Sequence, residues 1–152
     1  MKLALPRAFR IEIEHAARTA YPRECCGLLE GIRDERQAQV LALHPARNNA
    51  ARNDRFEIDP GDHIAALKAA RSNGRAIIGC YHSHPGGTAS PSPTDRAGAG
   101  EENFLWLIAA LGVEDGPVTL CAYSYLAAEF LPVVIDGPMG ADCVTSSEKL
   151  RS

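Results

Sequence analysis

From Pro6 to Thr19 the apolar positions Phe9, Ile13, Ala16 and Ala17 recur at three- and four-residue steps, with Arg10, Glu12, Glu14 and Arg18 between them. That spacing lays one apolar stripe along a helix, closed by Tyr21-Pro22. Cys25 to Ile32 is a short apolar run and Gln37 to Leu43 alternates polar with apolar residues, so the two predict a hairpin connected through Gly31 to Arg36. Pro45 to Arg55 is rich in Asn and Arg and reads as a loop, with Phe56-Glu57-Ile58 as a short strand after it. Asp59 suits a helix N-cap and Pro60 the first helical position; Ile64 and Leu67 follow before Asn73-Gly74 ends this second helix.

Ala76-Ile77-Ile78-Gly79-Cys80-Tyr81 is apolar without interruption, the pattern of a central strand buried on both faces. A Gly-, Pro- and Ser-rich loop covers Pro85 to Pro93, and Thr94 is expected to cap a short helix running to about Glu102. Phe104 to Leu111, Val118 to Tyr123 and Glu129 to Ile135 supply three more strands, while the residues past Asp136 are mostly small or polar. Strands interleaved with two substantial helices predict one α/β or α+β domain around a mixed sheet, spanning 1–135, with a loose tail over 136–152. No repeat or low-complexity block is present.

Composition narrows the function classes. The chain has 152 residues, 45% hydrophobic and 23% charged, enough for one packed core. Its net charge of -3 and the lack of a Lys/Arg cluster argue against nucleic acid as a partner. The apolar stretch at Met1 to Pro6 is too short for a signal peptide, and no run of about 18 apolar residues is free of charge. The expectation is a cytoplasmic protein with no membrane partner. Cys25, Cys26, Cys80, Cys121 and Cys143 form no C-x-x-C pair and do not outline a disulfide framework. Most of them read as small buried apolar residues, with Cys25 and Cys26 on opposite faces of a strand.

The candidate chemistry sits at the end of the central strand, in His82-Ser83-His84-Pro85 followed by Ser92 and Asp95. Residues two apart on a strand share a face, so both imidazoles can aim at one point while Ser83 aims away. Two histidines alone are also compatible with ordinary hydrogen-bonded strand-end residues. A catalytic zinc needs a third protein ligand, and Asp95, carried back by the loop and held on a short helix, is the best candidate. Two neutral imidazoles and one carboxylate leave such a site net positive, which lowers the pKa of water there from 15.7 toward roughly 7.

The full pattern, H-S-H-P, six residues, then S-x-x-D, with Glu24 far upstream, resembles the signature of the JAMM, or MPN-plus, metalloproteases. Pro22-Arg23-Glu24-Cys25-Cys26-Gly27-Leu28-Leu29 resembles the family's glutamate-bearing segment, and Asn48 with Phe56 its middle segment, so the resemblance runs from about Phe9 to Ile135. It implies a single MPN-type domain of cytidine-deaminase-like architecture, a mixed curved sheet flanked by two main helices. It further implies one zinc ion held by His82, His84 and Asp95, with Glu24 as general acid/base and Ser92 donating its hydroxyl to the carbonyl oxygen under attack. Ser92 lacks the G-x-S-x-G turn of a nucleophile and suits equally a cap for the Asp95 helix. His15, His44 and His63 have no partner ligands nearby in sequence and read as surface or structural residues; Trp106 reads as core.

A zinc deaminase is excluded, since it would need H-x-E and a later P-C-x-x-C. A non-catalytic MPN scaffold or interaction module is the alternative, although all five chemical positions are filled here. The resemblance implies cleavage at the C-terminus of a ubiquitin-like protein. The compact form of this chain favours a sulfur-carrier or ubiquitin-like adduct over a general isopeptide or cell-wall substrate. A homodimer is compatible with the sequence.

Overall fold

The computed structural model describes residues 1–136; the expected loose tail beyond them lies outside the described residues. The elements run β1 (Lys2–Ala4), α1 (Arg7–Ala20), β2 (Cys26–Arg33), β3 (Gln37–Ala46), α2 (Pro60–Ser72), β4 (Ala76–Pro85), α3 (Pro93–Gly98), β5 (Leu105–Leu111), β6 (Thr119–Leu126) and β7 (Glu129–Asp136). Mixed pairing joins the strands in the order β1-β3-β2-β4-β5-β6-β7. β4 runs parallel to β5, and β1 runs parallel to both β3 and β7, which closes the sheet into a barrel.

Each face of the sheet carries its own core. Ile13 and Ala17 of α1 pack with Leu3, Leu29, Val40 and Leu107 on one face. On the other, Leu28, Cys80, Trp106 and Ile108 meet Ala66 of α2. β4 sits between β2 and β5 and is buried along nearly its whole length, because both faces are covered. Close approach across these strands requires glycine at two places. A Cβ at Gly79 would collide with the Leu105 backbone of the parallel neighbour, and one at Gly27 would fall on the Tyr81 ring.

Several details differ from the pattern-based expectation, among them β3, which runs on to Ala46 past the expected end at Leu43. β1 is too short to show alternation in the sequence; it draws its stability from pairing on both sides. Phe56 to Ile58 forms no strand and contributes only one bridge, between Asn48 and Ile58. β4 carries both histidines, as the alternation argument requires, and continues to Pro85. The short helix is capped by Ser92, not Thr94, and it ends at Gly98 well short of Glu102. On α2, Ala66 and Ala70 face inward while Ile64 and Leu67 remain about half exposed, so the small side chains set the docking face. Asp59 and Pro60 start α2 as expected, the Asp59 carboxylate accepting from the Asp62 N–H. Among the described residues no helix is long and apolar enough to cross a membrane.

Candidate metal centre

Four polar side chains that burial should penalise meet at the end of β4: Glu24, His82, His84 and Asp95 are all buried. The strand period places His82 and His84 on the face of Cys80, while the Ser83 hydroxyl, on the opposite face, accepts from the Cys25 N–H at 2.7 Å. Asp95 arrives through the capping box of α3. The Ser92 Oγ accepts from the Asp95 N–H at 3.0 Å, and the Ser92 N–H donates to the Asp95 Oδ2 at 2.9 Å, which fixes the carboxylate's rotamer. Glu24 lies just ahead of β2, whose Cys26 is paired with His82, and the Asn48 side-chain amide donates to the Glu24 carbonyl at 2.9 Å.

The distances define a triangle. His82 Nε2 lies 2.9 Å from His84 Nε2, and both nitrogens lie 3.1 Å from the same oxygen, Asp95 Oδ2. Three mutually contacting atoms cannot alternate donor and acceptor all the way round. With Asp95 ionised, and so an acceptor only, one pair is left as two N–H groups or two lone pairs facing each other at hydrogen-bond distance. A cation among them resolves the conflict, since all three can then present lone pairs. The edges also suit such an ion, because tetrahedral zinc with bonds of about 2.0–2.1 Å separates neighbouring ligand atoms by roughly 3.3 Å.

One tautomer is fixed independently. His84 Nδ1 lies 2.7 Å from the Thr88 carbonyl oxygen, which can only accept, so Nδ1 carries a proton and, in the neutral ring, Nε2 offers its lone pair to the centre. His82 has no such anchor: its Nδ1 is buried without a hydrogen-bond partner among the described residues. Glu24, His82 and His84 can also bring one ligand atom each within 4.8 Å of one another. Asp95 approaches both imidazoles more closely than that limit, and Glu24 Oε1 is left buried without a partner among the described residues.

The electrostatics separate the two acids. Burial pushes the Glu24 carboxyl from its ordinary 4.5 up to about 7, the nearby Asp95 charge adding to the effect and His84 opposing it. Burial acts the same way on Asp95 but is outweighed by the adjoining His82 and His84 imidazoles and the Ser92 N–H, which hold its carboxyl far below the usual range. Burial also pushes the His82 imidazole toward its neutral form. The site therefore sets one carboxyl held toward its ionised form beside two imidazoles, and a second whose pKa burial raises to about 7.

The family model for prokaryotic homologs of the JAB domain matches residues 6–121. The chain belongs to the prokaryotic JAB family. The resemblance read from Glu24, His82, His84, Ser92 and Asp95 is thereby shown, and the mixed α+β single domain agrees with it. Among its relatives, a desampylase of Haloferax volcanii is 38% identical over 110 residues, covering 72% of this chain and 74% of that protein. A probable TtuB-protein conjugate cleaving protease of Thermus thermophilus is 38% identical over 95 residues, 61% of this chain and 60% of that protein. A solved structure of a Desulfitobacterium hafniense protein aligns with a TM-score of 0.77 at 29% identity, over 89% of this chain and 90% of that one.

Every residue singled out for chemistry lies in or beside this JAB centre. His15 and His63 lie outside the triangle, and His44 pairs with Glu30 at 3.0 Å, so the expectation of structural or surface roles agrees with their placement. Trp106 is buried, with its ring edge toward His82. Two contributors carry no chemical signature in the sequence. The Thr88 carbonyl is backbone and leaves no residue-type trace. Asn48 stands out only through the resemblance, yet its side chain holds Glu24, Arg55, Glu57 and Ala50 together.

Proposed function

We propose that this JAB protein is a zinc-dependent hydrolase that cleaves a peptide or isopeptide bond at the C-terminus of a ubiquitin-like or sulfur-carrier protein. The observation that carries the reading is the frustrated triangle of His82, His84 and Asp95 beside Glu24, whose buried Oε1 has no partner among the described residues. His82, His84 and Asp95 would hold the ion. Bound there, zinc supplies Lewis acidity, making water acidic near neutral pH and polarising a carbonyl.

The chain's own residues supply the remaining steps. Glu24, with a pKa near 7, takes a proton from the attacking water and delivers it to the departing amine, two transfers that one carboxylate makes in opposite directions. Ser92 accepts the Asp95 N–H through its Oγ lone pair, so its own proton stays available for the carbonyl oxygen as charge develops. Capping and catalysis are thus compatible in one hydroxyl. Gly86 and Gly87, both at positive φ, make the turn that follows His84 and brings the Thr88 carbonyl back to its ring. We read the barrel as the cytidine-deaminase-like architecture that the resemblance implies, and the substrate from the relatives named for desampylation and TtuB-conjugate cleavage.

The test is mass spectrometry of a carrier adduct incubated with the protein as purified, after chelation, and after zinc is restored. Cleavage lost on chelation and regained with zinc is expected, as are zinc loss and inactivity in His82→Ala and Asp95→Ala. A wild-type protein that takes up no zinc and cleaves nothing would favour the non-catalytic scaffold.

A further inference from the structure

We infer that Phe56 is a positioning residue for His82, replacing with ring stacking the hydrogen bond by which a ligating histidine is ordinarily held. The inference rests on the metal reading above and concerns how the chain prepares its ligands. A metal-binding histidine usually donates its second ring N–H to a carbonyl or carboxylate, which fixes ring orientation. His84 follows that rule through Thr88. His82, fully buried, does not, because its Nδ1 has no partner among the described residues.

What His82 has instead is aromatic. The Phe56 ring stacks on the imidazole with centroids 4.3 Å apart and planes inclined by 23°, and Trp106 meets it edge-on at 5.9 Å and 88°. Phe56 and Trp106 also contact each other edge-to-face at 6.0 Å, so the three rings brace one another. Tilting the imidazole would break the stacked contact.

Phe56 can hold His82 only if its own backbone is held, and Asn48 does this from both sides. The Asn48 Oδ1 accepts from the Glu57 N–H at 3.0 Å, and its Nδ2 donates to the Arg55 carbonyl at 3.4 Å. The same Nδ2 donates to the Glu24 carbonyl. Arg23 secures the segment further, donating to the carbonyls of Asn48 and Ala50. One amide thus ties the stacked ring to the strand-end glutamate, which explains why a segment without strand structure is well fixed.

The experiment measures zinc affinity by chelator competition in wild type, Phe56→Leu, Phe56→Tyr and Phe104→Leu, together with the thermal midpoint of each zinc-free protein. Phe104 packs in the same face of the core without stacking on His82, and so reports the effect of lost packing alone. Phe56→Leu is expected to weaken zinc binding by about 10- to 100-fold, the range for losing a ligand's support. It should also shift the visible spectrum of the cobalt-substituted protein. Phe56→Tyr should stay near wild type in both readouts. Unchanged zinc affinity in Phe56→Leu, or an equal loss in Phe104→Leu at matched thermal midpoint, would overturn the inference. Absence of zinc binding in wild type would instead remove the metal reading beneath it.

Discussion

Two buried glutamates sit close together along the chain, one just before β2 and one within it, and their surroundings are opposite. Glu30, fully buried, is satisfied on every side. It accepts from His44 at 3.0 Å, from the Asn73 side chain at 3.2 Å and from Arg75 at 3.0 Å, tying β2 to β3 and to the end of α2. Burial alone would raise its pKa, but those three hydrogen bonds outweigh it and hold the carboxyl below its ordinary value. Glu24 has an unpartnered Oε1 and a pKa pushed up to about 7. A buried acid with full partners organises the fold. One with a buried oxygen left unsatisfied beside three converging polar atoms is a candidate for function, and under the proposed reading it is the group that moves protons.

The sharpest way to break this comparison is to make both carboxyls neutral. Glu24→Gln should keep zinc and lose cleavage by about 10²- to 10⁴-fold, the usual worth of a positioned acid/base. Zinc analysis and adduct cleavage on one preparation check it, and loss of the metal in this variant would make Glu24 a ligand instead. Glu30→Leu should do the reverse, with cleavage per folded molecule unchanged and stability reduced by about 2–4 kcal/mol in denaturant unfolding. The loss is kept to that range because Arg75 and His44 are partly exposed and can turn to water.

The candidate site in this contrast is legible in the amino-acid sequence, and the structural cluster is not, for physical reasons. His82, His84 and Asp95 stand out because residue types able to ligate a metal recur at a spacing that lets them converge. The strands stand out wherever apolar runs exceed about five residues. β1 does not, because its stability comes from neighbours distant in sequence, Gln37 to Gln39 and Val134 to Asp136, not from its own pattern. Glu30 is silent for a related reason. A lone acid in an apolar strand announces nothing until His44, Asn73 and Arg75 are brought to it from distant parts of the chain. Ser92 and Thr94 both suit a helix cap by residue type, and only the reciprocal bonds with Asp95 decide for Ser92.

The two acids should also give stability opposite dependences on pH, a smaller but more discriminating effect. A carboxyl whose folded pKa is raised binds its proton more tightly in the folded chain. Glu24 therefore favours folding most below about 4.5, and that advantage is lost as pH rises to about 7. In zinc-free protein, Glu24→Gln should be more stable than wild type at pH 8 by up to about 3 kcal/mol, the gain shrinking toward pH 4. Glu30 has its pKa lowered, so its contribution is present above the unfolded value and fades as pH falls through the folded one. The deficit of Glu30→Gln should accordingly be largest at neutral pH and close in acid. Denaturation midpoints measured across pH 4 to 8 test both slopes, and parallel slopes in the two variants would contradict the distinction.

The smallest effect concerns His44, a histidine near the strand end that takes no part in the metal triangle. Its Nε2 donates to Glu30 Oε1, and a glutamine amide nitrogen can occupy nearly the same point. His44→Gln should change stability by less than about 1 kcal/mol, because Asn73 and Arg75 still satisfy the other carboxylate oxygen. Cleavage and zinc content should not change. This weak result carries information that a larger one would not. If His44→Gln lowered zinc affinity, the Glu30 cluster would be coupled to the site through β2, and the two glutamates would form one network. If it left zinc untouched while His82→Ala abolished binding, the division would hold: histidine serves as ligand where three lone pairs must converge, and as a replaceable donor where a carboxylate needs only to be satisfied.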